Sequence, residues 1–160
     1  MGPWSRLGLG LALATLVVDQ VHKWWMLAVY DIAGKGRVGL TPFVDLVYVK
    51  NLGISYGVGS GQFAQWALAT FAILAAVALA VWLARGATSG LMAAGIGLIM
   101  GGAASNAIDR IVLGGVADFF SFHAFGFYWY VFNIADAAIV AGVIGLLYDS
   151  LRGERAVKAP

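Results

Sequence analysis

Four stretches of mostly apolar residues, near 7–29, 63–84, 91–108 and 131–148, limit more than any other feature what this chain can fold into. A hydrocarbon core roughly 30 Å thick takes about 20 apolar residues per helical crossing, so each stretch has close to spanning length. Four crossings account for about half of the 160 residues, and the remainder must serve as loops. At 61% hydrophobic and 11% charged, with a mean hydropathy of +0.86, the chain has too little polar surface to coat a soluble globule. The expectation is one integral membrane domain over residues 1–160. Its fold class is all-α, with four transmembrane helices. Arg6 followed by an apolar run from Leu7 resembles a signal peptide, but hydrophobicity resumes through Trp24, Trp25, Met26 and Leu27. The segment is therefore expected to be retained as the first helix.

Charge sets the expected orientation. Ten Lys/Arg against eight Asp/Glu give a formal charge of +2, without the clustering that would mark a nucleic-acid partner. An even number of crossings puts both ends on one side. The ends and the link near residue 85 carry Arg6, Arg85, Arg152, Arg155 and Lys158, while the two longer loops carry Lys35, Arg37, Lys50 and Arg110. By the positive-inside rule both termini are expected in the cytoplasm. The absence of cysteine excludes disulfides, a thiolate nucleophile and cysteine-ligated metal.

The longer loops have their own patterns. Residues 43–49, β-branched and aromatic, precede the glycine-rich stretch 51–61, which predicts short strands and turns on the outer surface. Residues 119–130 hold eight aromatic rings, a composition that settles at headgroup level, and most are expected to act as interfacial anchors. In the third span Ala93, Gly97, Gly101 and Ser105 recur every four positions and form a close-packing face. Offset by one, Gly102, Asn106 and Arg110 form a polar line with Asp109 beside it.

An ionisable group inside a span costs a few kcal/mol, so each requires a reason. Asp19, Lys23, Asp118 and Asp136 stand out. Asp136 is expected about five residues into the fourth span, roughly 8 Å below its outer end. Asp118 lies in the loop leading back to that end, so the two carboxyls can meet. Two close carboxyls cannot both ionise, and a shared proton lets one activate water while the other polarises a carbonyl. Charge spacing alone leaves a second reading open, in which Asp136 bonds a neighbouring helix and Asp118 stabilises a loop.

The blocks Val18-Asp19-Gln20-Val21-His22-Lys23, Asn51-Leu52-Gly53-Ile54-Ser55-Tyr56-Gly57, Gly101-Gly102-Ala103-Ala104-Ser105-Asn106-Ala107-Ile108-Asp109-Arg110, Val116-Ala117-Asp118-Phe119 and Phe132-Asn133-Ile134-Ala135-Asp136 together resemble the signatures of the lipoprotein signal peptidases (signal peptidase II). They occur in the order of that bacterial family and run from the first span into the fourth. The resemblance implies an aspartyl endopeptidase with Asp118 and Asp136 as its catalytic dyad. It implies four transmembrane helices with an extracytoplasmic β-cradle, in the cytoplasmic (inner) membrane, with the active site near the outer face. Its substrates would be diacylglyceryl-modified prolipoproteins, cut on the N-terminal side of the lipidated cysteine. No metal or cofactor is implied; membrane lipid and globomycin-like peptide inhibitors are the implied partners, and a monomer is expected. Asn51, Gly53, Gly102, Asn106, Arg110, Val116, Asn133 and Ala135 correspond to substrate-binding or site-shaping positions. Asp19 and Lys23 correspond to a polar pair with a structural role, and their spacing puts them on one helix face. His22 replaces a small hydroxyl residue common in the family, and Ala104-Ser105 stands where Leu-Gly is common.

Other chemistries compete. Gly53-Ile54-Ser55-Tyr56-Gly57 fits G-x-S-x-G, with Asp118 and His123 following in hydrolase order, but the chain has no room for the parallel sheet that motif needs. A dyad of Ser55 or Ser60 with Lys23 leaves both aspartates idle. His22 and His123 lack metal-ligand spacing and are expected to be interfacial side chains. A transporter with Asp19, Lys23 and Asp136 on an ion path would spread its polar groups through the membrane and show a repeat. A scaffold built on the glycine faces leaves the Asn, Arg and Asp cluster unused. Asp31, Lys35, Arg37 and Asp45 read as ordinary loop charges, and Asp109 as a local pair or helix-end contact.

Overall fold

The structure is a computed structural model that describes residues 2–53 and 61–158. Helix α1 (Pro3–Trp24) opens with proline in its first turn, where the missing N–H has no intrahelical partner to lose. It runs on into a π-helical turn, Trp25–Val29, closed by the Tyr30 N–H donating to the Trp25 carbonyl at 2.8 Å. A one-turn helix, α2 (Ile32–Lys35), is capped by the Asp31 carboxylate, which accepts from the Gly34 N–H. Strands β1 (Val38–Thr41) and β2 (Val44–Asn51) follow. Next come α3 (Gln62–Gly86) and α4 (Gly90–Leu113), which starts at the Ser89 cap and ends at Gly114, φ +68. Strands β3 (Val116–Ala124) and β4 (Phe127–Phe132) lead into α5 (Ile134–Lys158).

The molecule is mostly helical with one small antiparallel sheet in the order β1-β2-β3-β4. Asn51 at the end of β2 pairs with Val116 at the start of β3, although α3 and α4 intervene. Two antiparallel helices leave the sheet and return to it, so these strand ends can be neighbours. The same logic brings the end of α1 and the start of α5 to the sheet and leaves the start of α1 and the end of α5 at the far end. Among the described residues, three helices, α3, α4 and the 134–152 part of α5, are long and apolar enough to cross a membrane. The fourth expected crossing corresponds to α1, which has 22 residues but buries the polar side chains of Ser5, Asp19 and Lys23 against its neighbours.

Helix α4 lies in the middle, and its small residues explain why three helices can reach it. Gly97 abuts the backbone of Gly8, and Gly101 abuts Ala12 and Thr15, so the four-residue stripe faces α1. On another side, a Cβ on Gly102 would lie 2.6 Å from the Ala135 carbonyl oxygen. In lipid no water-driven force holds helices together, so association depends on such close packing.

Two expectations change. The fourth helix starts at Ile134, not at 131, because Val131 and Phe132 finish β4, with Phe132 paired to Phe120. Asp136 therefore sits in the first helical turn. The aromatic segment is also a β-hairpin, not a loop. Its rings divide by position: Phe119 near the start of β3 is fully buried with Met26, Ile32, Leu46 and Ala117, whereas Phe125 in the turn and Phe127, Tyr128, Trp129 and Tyr130 of β4 are exposed. His22 packs edge-on to Phe119 and stacks on Phe120.

Candidate active site

Asp118 and Asp136 arrive from opposite directions, one on β3 and the other on α5, at the end of the bundle covered by the sheet. Asp118 is 1% exposed and Asp136 half-buried. Three asparagines tie them together. The Asn51 amide on β2 donates to Asp118 Oδ2 at 2.9 Å, and the Asn133 amide donates to Asp118 Oδ1 at 2.7 Å. Asn106 on α4 donates to Asp136 Oδ1 at 2.8 Å, while its own carbonyl accepts from the Asn133 amide at 3.1 Å. These four bonds pair amide and carboxylate groups that would be costly to bury unpaired.

Local structure holds these groups in place. Asn133 precedes the first turn of α5 and forms a reciprocal capping pair: its side-chain oxygen accepts from the Asp136 N–H (2.9 Å), and Asp136 Oδ2 accepts from the Asn133 N–H (3.2 Å). Asn51 Oδ1 accepts from the Gly53 N–H at 2.8 Å, turning the chain immediately after β2. Gly53 has φ +94, and a Cβ there would meet Leu68 of α3 at 2.7 Å, so conformation and space both demand glycine. Gln65 on α3 secures the same turn by donating to the Leu52 carbonyl at 2.7 Å. Arg110 Nη1 bonds the Asn106 carbonyl oxygen one turn back at 3.1 Å. Ala135 and Gly102 touch where α5 starts, and Val116 pairs with Asn51, so both small positions and the strand register serve the same junction.

Burial pushes the Asp118 carboxyl up to about 6; the Asn51 bond opposes the rise, the negative Asp136 adds to it, and Asn133 and Lys23 oppose it. A cleft of about 490 Å³ opens beside it, lined by Val49, Asn51, Leu52, Gly53, Trp129, Tyr130 and Val131. A second, apolar groove of about 370 Å³ leads away from Asp136 between Phe122 and Phe132 and along Ala137, Val140, Ala141 and Ile144 of α5. The two carboxyls thus stand between a partly polar cleft and an apolar furrow. Among the described residues, no group of three or more His, Asp and Glu side chains is placed to hold a metal ion.

Asp19 and Lys23 lie behind this cluster and form a 2.6 Å ion pair. Asp109 was not read from the sequence as part of it. Its carboxylate turns from Arg110 toward Lys23 at 2.7 Å and accepts from the Ala117 N–H at 3.1 Å. Three residues from Asn106 on α4, it lies on the flank of the polar line, and that spacing was the available signal. Arg37 and Asp45, read as ordinary loop charges, form a pair, and His123, expected as an interfacial side chain, joins them. Arg37 bonds Asp45 at 2.8 Å and holds its carboxyl below the usual range, and His123 approaches Asp45 at 3.2 Å. Ser55, Gly57 and Ser60 of the rival serine readings lie outside the described residues.

The chain is similar to known proteins along most of its length. The signal peptidase (SPase) II family matches residues 11–152. The lipoprotein signal peptidase of Rhodopseudomonas palustris strain TIE-1 is 51% identical, across 97% of this chain and 98% of its own. That of Methylocella silvestris is 50% identical, across 93% and 88%. Two solved structures described as a bacterial membrane enzyme share the fold. One has a TM-score of 0.77 at 26% identity, covering 95% of this chain and 91% of that one; the other scores 0.78 at 28% identity, covering 90% and 92%. With a family match over most of its length and relatives half identical across nearly all of it, the chain belongs to the signal peptidase II family of membrane peptidases.

Proposed function

We propose that this protein is an intramembrane aspartyl endopeptidase that removes signal peptides from diacylglyceryl-modified prolipoproteins, with Asp118 and Asp136 as its dyad. The observation that carries the reading is the asparagine bridge, in which Asn133 and Asn106 link the two carboxyls, with Asp118 lining the partly polar cleft and Asp136 the apolar groove. A site built only for packing would have no need for a cleft beside a buried acid whose ionisation is held back.

In this mechanism the ionised carboxylate takes a proton from water as the oxygen attacks the scissile carbonyl carbon. The protonated carboxyl supplies a proton to the carbonyl oxygen, and collapse of the tetrahedral intermediate breaks the C–N bond as the amine is protonated. No covalent enzyme intermediate forms. Asn51 lines the cleft and Arg110 approaches Gly53 of its lining, so both are candidates to bind the peptide backbone, which must be unwound because a helix hides its carbonyls in internal bonds. The apolar furrow beside Asp136 runs along the exposed Val140 and Ile144 of α5 and can receive the substrate's acyl chains as it enters sideways.

Orientation follows from charge and topology. Arg6, Arg85 and Arg152 lie at the end away from the sheet, so the termini are cytoplasmic and the dyad lies near the outer face, with α1 as a fourth crossing. Purified protein should cleave a diacylglyceryl-modified prolipoprotein before its cysteine and leave the unmodified precursor uncut. Equal cleavage of both forms would remove the lipid requirement, and no cleavage of either would remove the activity.

A further inference from the structure

Behind the two carboxylates lies a cation that the proposed chemistry does not use. Lys23 is 3% exposed, and its ammonium has three N–H donors facing three acceptors: Asp19 Oδ2 at 2.6 Å, Asp109 Oδ2 at 2.7 Å and Asn106 Oδ1 at 3.1 Å. Each carboxylate also binds one backbone N–H from a distant element. Asp109 Oδ2 accepts from Ala117, the residue before Asp118, at 3.1 Å. Asp19 Oδ1 accepts from Ala135, the residue before Asp136, at 2.9 Å. The third arm, Asn106, donates directly to Asp136 and accepts from Asn133, which in turn holds Asp118.

One cation thus reaches both dyad-bearing elements, β3 and α5, through two arms of the same design. Gln20 braces the assembly by donating to Asp109 Oδ1 at 2.8 Å and to Ser105 Oγ at 2.9 Å, and Ser105 donates to Asp19 Oδ2 at 2.6 Å. A pair kept only to join α1 to α4 would need one carboxylate and no contact with β3 or α5. Two buried carboxylates on one lysine are costly, and the backbone bonds they accept both come from the residue before a reacting group. Contact with Lys23 also fixes which way the Asn106 amide faces, oxygen toward the cation and nitrogen toward Asp136.

We propose that Lys23, Asp19 and Asp109 form a buried positioning clamp that sets the spacing of Asp118 and Asp136; this rests on the aspartyl reading above. The three are positioning residues, since none touches the cleft. The test is cleavage of a diacylglyceryl-modified prolipoprotein by wild type, Lys23→Met and Asp109→Asn, with the folded fraction measured by thermal unfolding in detergent. Removing an outer support of this kind lowers kcat about 10- to 100-fold in folded enzyme and leaves KM within about twofold. Asp109→Asn leaves Lys23 and Asp19 as a balanced pair and loosens only the Asp118 arm, so it decides the matter if Lys23→Met does not fold. Folded variants that keep wild-type kcat, whatever their thermal stability, would overturn the clamp, as would a defect confined to KM. An active wild type with unimpaired variants overturns the clamp alone; an inactive wild type overturns the aspartyl reading and the clamp with it.

Discussion

Asn133 holds Asp118 with its side chain, donating from Nδ2 to Oδ1 at 2.7 Å, and does so from the position that caps α5. The start of a membrane helix and the orientation of a strand carboxylate are therefore one structural event. Replacing Asn133 with alanine removes the cap and the bridge together. The cap accounts for about 1 kcal/mol of stability. Loss of the bridge should lower kcat about 10- to 100-fold in the remaining folded enzyme. Thermal unfolding and initial-rate kinetics on the same preparation separate the two effects.

Asn51 favours the ionised form of Asp118 by donating to it. Asn51→Ala removes that preference, so the Asp118 carboxyl, already raised to about 6 by burial, rises further. Whichever limb of the pH–rate profile reports this group should move to higher pH. A profile unchanged in position would show that Asn51 does not act on Asp118.

Burial of Asp118 also has a consequence for stability. Its folded-state value lies above the ordinary 3.8, so the unfolded chain gives up this proton first as pH rises. The sign of the linkage is then a loss of stability between about pH 4 and 6. Asp118→Asn should abolish that part of the decline, as measured by thermal unfolding across the range.

Gly102 lets α4 approach the first turn of α5, where an added Cβ would meet the Ala135 carbonyl oxygen at 2.6 Å and Ile139 at 2.7 Å. Gly102→Val should cost about 1–3 kcal/mol through overpacking. It should also lower kcat, because the displaced turn carries Asp136. A stable variant with full activity would show that the junction tolerates a wider spacing than its packing suggests.

What the sequence made readable was periodic or local. The spans near 63–84 and 91–108 follow from apolar length, although α4 runs on to Leu113, and the role of Gly97 and Gly101 as a close-packing face follows from four-residue spacing, which does not name α1 as the helix it meets. The hairpin of β3 and β4 was harder to read, because eight aromatics in twelve residues suit an interface as well as a strand, and only pairing with β2 decides between them. Val131 and Phe132 looked like the start of a span for the same reason: apolar composition does not distinguish a strand end from a helix start, whereas the Asn133 cap does. Asp109 was misjudged because its neighbour in sequence is Arg110, and the partner it takes instead, Lys23, is far away along the chain. Asp45 and His123 were likewise joined only by strand register.

The most direct measurement is single-turnover cleavage of a diacylglyceryl-modified prolipoprotein by folded wild type, Asp118→Asn, Asp136→Asn and Ser55→Ala. An aspartyl dyad predicts a loss of at least about 10³-fold in each aspartate variant and an undiminished rate for the serine variant. Retained turnover in either aspartate variant would contradict the dyad, and loss of turnover in Ser55→Ala would return the chemistry to a serine nucleophile.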